Sequence, residues 1–253
     1  MTTIPLRTTV HGSGPGLVLA HGAGGAIASN FGVVLADLAA EHTVVASDYP
    51  DDDTPLDLDA LADALVAAAV EAGVPTFTVI GFSLGTAVAV RAAARHPQRV
   101  TGLILTAGFA APDNRARLAV RAWQELLARD ASDSFARLVL LTGFSPEFVN
   151  ALPAAAVDEL VAQTAASIPG GTRQQAALIE TVDTTANLAG ITVPTLIVNT
   201  TADLLVDPAN SRALAAAIPD AEYTEIDAGH VVMAEQPDEW RKVLLEFLTR
   251  HGR

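Results

Sequence analysis

The residues whose spacing most clearly indicates chemistry are those of the pentapeptide GFSLG, which places Ser83 between Gly81 and Gly85. An apolar, β-branched run from Thr76 to Ile80 precedes it, and an alanine-rich stretch of helical period opens at Leu84. Glycines on both sides of a serine allow a tight turn from a strand into a helix, which leaves the hydroxyl accessible at the edge of a sheet. We therefore predict that Ser83 is a nucleophile.

A serine hydroxyl is a weak nucleophile until a base removes its proton, so a histidine and a carboxylate must accompany it. Of the six histidines, His230 alone lies in a loop between the last predicted strand and the last predicted helix. Asp203 follows the strand before that one, which gives the chain order Ser83, Asp203, His230. Asp207, four residues further on, is the nearest competitor for the carboxylate role; we prefer Asp203 because it is closer to the end of the strand.

Short β-branched runs alternate along the chain with longer alanine-rich stretches of helical period. This alternation predicts an α/β fold, in which a largely parallel sheet is flanked by helices. The predicted strands are Leu17 to Ala20, Thr43 to Ser47, Thr76 to Ile80, Thr101 to Thr106, Thr195 to Thr200 and Glu222 to Ile226. The predicted helices are Leu58 to Ala72, Leu84 to His96, Pro208 to Ile218 and Pro237 to Arg250.

The alternation is interrupted once, between Pro112 and Asn187, where no strand-like run occurs. The pattern there predicts only helices, at Asn114 to Arg129, Ser134 to Leu141, Ala154 to Ser167 and Thr172 to Val182. We therefore predict one core domain made of residues 1–111 and 188–253, with residues 112–187 inserted as an all-helical cap.

Composition excludes several classes of function. A chain of 253 residues is long enough for one large α/β domain that carries an insertion. The formal net charge of −14 opposes lasting contact with nucleic acid or an anionic membrane surface. The absence of cysteine excludes disulfides, thiolate metal sites and a cysteine nucleophile. Because no signal-peptide pattern or long apolar span is evident, we expect a cytoplasmic protein. We also expect it to act on a small molecule and to be a monomer or a homodimer.

Four segments, HGAGG, GFSLG, DLLVDP and AGHVVMAEQP, together resemble the α/β-hydrolase superfamily, in the order that this superfamily uses. The resemblance extends from about Gly12 to the end of the chain. It implies a mostly parallel sheet of about eight strands, with a helical cap inserted after the sixth strand. The predicted cap at residues 112–187 agrees with such an insertion.

The resemblance also assigns the segment His21-Gly22-Ala23-Gly24 as an oxyanion loop. It implies that the backbone N–H groups of Ala23 and Leu84 bind the oxyanion, and that His21 is structural rather than a base. The glycines at positions 22 and 24 are consistent with this role, because a backbone that approaches a ligand closely leaves no room for side chains.

The chain departs from the superfamily after the strand that ends near Asp48. Many capped members carry an Asp-Arg-Gly-x-Gly-x-Ser turn at this place, whereas this chain reads DYPDDDTPLDLDAL. We interpret Asp51, Asp52 and Asp53 as a solvated turn before an acid-started helix, with a metal site as the alternative.

Serine at position 83 argues against related haloalkane dehalogenases and epoxide hydrolases, whose nucleophile is an aspartate. The resemblance implies a carboxylic ester hydrolase that cleaves an ester, lactone or thioester of a small, fairly apolar metabolite, without a metal or organic cofactor. Carbon–carbon bond hydrolases, acyltransferases, cofactor-free haloperoxidase-like enzymes, tailoring enzymes such as cyclases, and non-enzymatic receptors of the same fold stay open as alternatives.

The substrate pocket is predicted to be apolar because large hydrophobic side chains accompany the elbow, the histidine loop and the cap. In the cap these side chains are equally compatible with a role in its own core. The candidates for the pocket wall are Phe82, Phe109, Trp123, Phe144 and Val231.

Overall fold

The computed structural model describes residues 4–252, and within them one seven-stranded sheet forms the centre of the fold. The strands are β1 (Arg7–His11), β2 (Gly16–Ala20), β3 (Thr43–Asp48), β4 (Phe77–Phe82), β5 (Val100–Thr106), β6 (Thr195–Thr200) and β7 (Glu222–Ile226). Across the sheet their order is β1-β3-β2-β4-β5-β6-β7. β1 is antiparallel to β3, and every other neighbouring pair is parallel. The predicted α/β class and all six predicted strands are confirmed.

Helices cover both faces of the sheet and fill the interval between β5 and β6. In chain order they are α1 (Ile27–Glu41), α2 (Leu58–Glu71), α3 (Leu84–Arg95), α4 (Asn114–Leu127), α5 (Ser132–Gly143), α6 (Pro146–Ala151), α7 (Ala154–Ala166), α8 (Thr172–Thr181), α9 (Thr185–Leu188), α10 (Pro208–Ala217), α11 (Val232–Glu235) and α12 (Pro237–Arg250). Helix α1 was not among the predicted helices, although Ile27, Phe31, Val34 and Leu38 form its buried face at helical spacing.

Two expectations about strand number are wrong. The described residues contain seven strands instead of about eight, and the helical interval follows the fifth strand instead of the sixth. Within residues 4–252, β1 is the strand that precedes β2. The expected boundary between residues 187 and 188 also falls inside α9.

The sheet separates two apolar clusters, as expected for parallel strands that are covered on both faces. Alternate residues of β2 illustrate this: Val18 packs in the cluster that includes α2 and α3, whereas Leu17 packs in the cluster that includes α1 and α12. Every residue of β4 is buried. The strand that leads to Ser83 is therefore rigidly held from both sides.

The helical segment 112–187 contacts the core at loops that follow the carboxyl ends of the strands. The loops after β2, β3, β6 and β7 each take part in such a contact. The hydrogen-bonded pairs are Gly24 with Gln175, Asp51 with Gly171, Leu204 with Arg115, and Val231 with Gly143. Segment 112–187 therefore lies over the edge of the sheet at which the turn around Ser83 is formed.

The acidic turn after β3 is exposed, but its carboxylates have protein partners. Asp51 accepts a hydrogen bond from the N–H of Gly171, and Asp52 accepts one from the N–H of Thr54. Within residues 4–252, no group of three or more histidine or acidic side chains is arranged to hold a metal ion. Nor does this part of the chain contain a helix with the length and apolarity needed to cross a membrane.

Candidate active site

The turn between β4 and α3 presents Ser83 in a strained backbone conformation. Its φ of 52° and ψ of −119° lie in a region that residues with a side chain rarely adopt. The flanking glycines are required by close contacts: a Cβ on Gly85 would overlap the carbonyl oxygen of Ala20, and one on Gly81 would overlap that of Gly85. The pentapeptide therefore forms the tight strand-to-helix turn that its glycines predict.

The side chains of Ser83, His230 and Asp203 form one chain of hydrogen bonds. Ser83 Oγ lies 2.9 Å from His230 Nε2, and His230 Nδ1 lies 2.7 Å from Asp203 Oδ2. A carboxylate only accepts, so Nδ1 carries the proton and Nε2 is free to accept the hydroxyl proton of the serine. All three residues are buried, with exposed fractions of 6%, 5% and 5%.

Backbone donors fix the orientation of the Asp203 carboxylate. Its Oδ1 accepts hydrogen bonds of 2.8 Å from the N–H groups of Leu205 and Val206, so that Oδ2 faces the histidine. The competing residue, Asp207, is exposed, and its carboxylate accepts the N–H of Ala209 as the N-cap of α10. The structure thus brings Asp203, and not Asp207, to the histidine.

The loop that carries His230 is held between the core and segment 112–187. The ring of Phe82 lies against the imidazole, with 5.0 Å between ring centroids. The N–H of Val231 donates to the carbonyl oxygen of Gly143 at 3.0 Å. Gly229 has no space for a side chain, because a Cβ there would overlap the backbone of Ser145. These contacts restrict the position of the imidazole from two directions.

The segment from His21 to Gly24, which is the predicted oxyanion loop, is held in place through its glycine N–H groups. Gly22 donates to Asn30 Oδ1 at 2.9 Å, and Gly24 donates to Gln175 Oε1 at 2.8 Å. Among the hydrogen bonds formed by residues 4–252, none uses the N–H of Ala23, which lies between them. Sequence reasoning missed both Asn30 and Gln175, since neither belongs to a motif.

The N–H of Leu84, the first residue of α3, also has no acceptor among the described residues. It is next to Ser83 in the chain, and the predicted oxyanion loop is close by: a Cβ on Gly22 would lie 3.1 Å from the Cβ of Ser83. Two unused backbone donors, from Ala23 and Leu84, therefore flank the serine, and the amino terminus of α3 adds its partial positive charge.

His21 orients the peptide that contains the Ala23 N–H. Its Nδ1 donates to the carbonyl oxygen of Gly22 at 2.8 Å, and its Nε2 accepts the N–H of Tyr49 at 3.0 Å. The carbonyl of Gly22 and the N–H of Ala23 point in opposite directions because they share one planar trans peptide. Burial lowers the pKa of His21 to about 4, so the ring is neutral at pH 7. Both ring nitrogens of His21 are thus hydrogen-bonded to backbone groups.

A cavity of about 380 Å³ opens beside Ser83 and His230. All five predicted wall residues line it, namely Phe82, Phe109, Trp123, Phe144 and Val231. Polar side chains that the sequence analysis did not predict contribute as well, among them Ser29 and Asn30 of α1 and Thr164 of α7. Of the described residues that line the cavity, none is Asp, Glu, Lys or Arg.

Comparison with known proteins identifies the family. The model of the α/β-hydrolase fold family matches residues 15–237. A pyrrolizixenacetamide deacetylase from Xenorhabdus hominickii is 33% identical over 247 residues, which cover 94% of this chain and 92% of the relative. RutD from Azorhizobium caulinodans, named provisionally as a carbamate hydrolase, is 31% identical over 248 residues, with coverages of 94% and 92%.

Solved structures agree on the architecture. A thermophilic esterase from Thermogutta terrifontis has a TM-score of 0.84 and 23% identity, covering 98% of this chain and 94% of its own. An enol-lactonase from Burkholderia xenovorans LB400 has a TM-score of 0.81 and 24% identity, covering 96% of each chain. At these identities the likeness shows the fold alone.

Proposed function

The chain belongs to the α/β-hydrolase family and is a hydrolase, and we propose that Ser83, His230 and Asp203 are its catalytic triad. The observation that carries this proposal is the continuous chain of hydrogen bonds of 2.9 and 2.7 Å from the serine through the histidine to the aspartate. Ser83 and His230 line a cavity, and two unused backbone donors flank the serine, which is the arrangement that acyl transfer requires.

In the proposed mechanism, Ser83 Oγ attacks the acyl carbonyl while His230 Nε2 takes its proton. The N–H groups of Ala23 and Leu84 donate to the tetrahedral oxyanion. His230 then passes the proton to the leaving group, and an acyl-enzyme ester remains on Ser83. A water molecule, deprotonated by the same nitrogen, attacks this ester and releases the acid. Asp203 holds the imidazole in the required tautomer throughout.

The composition of the cavity wall favours an uncharged substrate. An ionised group that enters this cavity would lose its hydration without meeting a charged side chain of opposite sign, which is strongly unfavourable. We therefore propose an ester, lactone or thioester of a small, neutral and fairly apolar metabolite. Segment 112–187 supplies Trp123, Phe144 and Thr164 to the cavity wall, so we propose that it acts as the cap.

A second candidate is hydrolysis of an acyl amide. It is favoured by the 33% identity with a relative whose name is that of a deacetylase, over 94% of this chain. The same triad would serve, provided that His230 protonates the leaving nitrogen. Rates for 4-nitrophenyl acetate and 4-nitroacetanilide, which share the acetyl group, distinguish the two: an esterase leaves the anilide almost uncleaved, whereas an amide hydrolase cleaves both.

Fluorophosphonate labelling with intact-mass detection tests the proposal. We expect one adduct on the wild type and none on Ser83→Ala. The matched control is Ser29→Ala, because Ser29 lines the same cavity and bonds only the backbone and Asn30. It should be labelled like the wild type. An unlabelled wild type would contradict the triad and favour a receptor or a tailoring enzyme. A labelled Ser83→Ala would contradict it by showing that the reactive nucleophile is another residue. A panel of 4-nitrophenyl esters from acetate to decanoate then measures the length of the acyl site.

A further inference from the structure

Gln175 connects the helical segment to the oxyanion loop. It lies on α8 and is 1% exposed. Because the N–H of Gly24 can only donate, the atom of Gln175 that lies 2.8 Å from it is the amide oxygen. The contact is close: Gly24 has a φ of 70°, and a Cβ there would come within 3.3 Å of Thr172, at the start of the same helix. Helix α8 therefore rests directly on the loop.

The hydrogen bond between Gly24 and Gln175 affects the orientation of the Ala23 N–H through the backbone between them. The peptide before Ala23 is oriented by His21, through the carbonyl of Gly22, and the peptide after it ends in the N–H of Gly24. Rotation of either peptide plane changes the dihedral angles of Ala23 and turns its N–H. The core fixes one side of this residue, and α8 fixes the other.

We propose that Gln175 is a positioning residue for the oxyanion hole, and that the hole is complete only while α8 is docked on the core. The inference rests on the proposed function, since it assigns the Ala23 N–H to the oxyanion. Gln175 does not line the cavity and does not reach the reacting atoms. It acts through Gly24 alone.

The loop after β3 contacts the amino terminus of α8. The N–H of Gly171, at the N-cap of α8, donates to Asp51 Oδ1 at 3.3 Å. A Cβ on Gly171 would overlap the carbonyl oxygen of Pro50, so the two backbones are in direct contact. The acidic turn therefore has a structural role: it contacts the amino terminus of α8, and Gln175 of α8 binds the oxyanion loop.

The chemical consequence concerns the transition state more than the bound substrate. The N–H of Ala23 is aimed at an oxyanion that is fully charged only after Ser83 attacks. If Gln175 is lost, the loop relaxes and this donor moves, while the apolar cavity wall that binds the substrate stays in place. We therefore expect kcat to fall and KM to change little.

The test uses the full-length protein with Gln175→Met, which retains the length of the side chain but removes the acceptor. We expect kcat for 4-nitrophenyl esters to fall about 10- to 100-fold. KM should stay within about threefold of the wild type. The inhibition constant of an alkyl boronic acid, whose serine adduct places an oxygen in the hole, should rise by about the same factor as kcat falls. The matched control is Gln163→Met, since Gln163 is exposed on α7 and its amide bonds only Glu159.

A folding control completes the test. If Gln175→Met does not fold, Gln175→Asn withdraws the acceptor by one methylene and should show the same fall in kcat. Unchanged kcat in a folded acceptor-loss variant, with the wild type labelled by fluorophosphonate, overturns the inference alone. Failure of the wild type to be labelled overturns the proposed function as well.

Discussion

The change of Asp203 to asparagine is the sharpest test of the triad, because the surrounding hydrogen bonds determine how the amide must lie. Oδ1 faces the N–H groups of Leu205 and Val206, so the amide oxygen must occupy that position. The NH2 group then replaces Oδ2 opposite His230 Nδ1. Because NH2 donates, the imidazole proton moves to Nε2, which can no longer accept the proton of Ser83.

The expected loss in kcat follows from this change of tautomer. The geometry is retained, but the base is in the wrong protonation state, which costs about 10³- to 10⁴-fold in kcat. This corresponds to about 4 to 5.5 kcal/mol of transition-state stabilisation. The matched control is Asp207→Asn, since Asp207 is an exposed N-cap and asparagine caps a helix equally well.

The assay is the hydrolysis of 4-nitrophenyl acetate at pH 8, with active sites counted by the burst of 4-nitrophenol. Asp203→Asn should lose the stated activity, and Asp207→Asn should stay within about twofold of the wild type. The reasoning is refuted if Asp203→Asn retains more than about a tenth of kcat, or if Asp207→Asn is the more damaging change.

Three further predictions concern stability. His21 has a folded pKa of about 4 against an ordinary value of 6.5, so the unfolded state binds more protons between these pH values. The free energy of unfolding should therefore fall by about 3 kcal/mol as the pH drops from 6.5 to 4. Urea unfolding at each pH should show that His21→Gln lacks this pH dependence. Tyr49→Phe should raise the free energy of unfolding by about 1 kcal/mol without changing kcat, because the Tyr49 hydroxyl is buried and has no hydrogen-bond partner among the described residues; a lower free energy of unfolding in urea would contradict this. Ser83→Gly should be more stable than Ser83→Ala by about 1 kcal/mol in thermal unfolding, since both lack the hydroxyl and only alanine retains a Cβ at a φ of 52°; equal stability would argue against backbone strain.

The sequence was sufficient to predict those features that depend on short-range sterics. The glycines at positions 81 and 85 predicted the turn around Ser83 because neighbouring carbonyl oxygens leave no space for a Cβ. The alternation of β-branched and alanine-rich runs predicted the class of fold and six of the strands. The order of Ser83, Asp203 and His230 in the chain was readable as well, since each follows a predicted strand.

The sequence alone supported only a preference for Asp203 over Asp207 as the carboxylate. Both follow β6 within a few residues, and no local pattern states which side chain turns inward. The structure places the first against the histidine and makes the second an exposed helix cap. The two aspartates differ in the direction in which their side chains point, and this direction depends on how the loop after β6 packs against the rest of the molecule.

Tertiary structure alone revealed the contacts that support the proposed oxyanion loop. Gly24 and Gln175 are 151 residues apart, and a glutamine inside a helix carries no signal of a distant partner. The antiparallel pairing of β1 was equally invisible, because an exposed strand at the edge of a sheet has few buried residues to reveal it. Local sterics determine turns and element types along the chain, whereas the meeting of two distant side chains is decided only when the whole core packs.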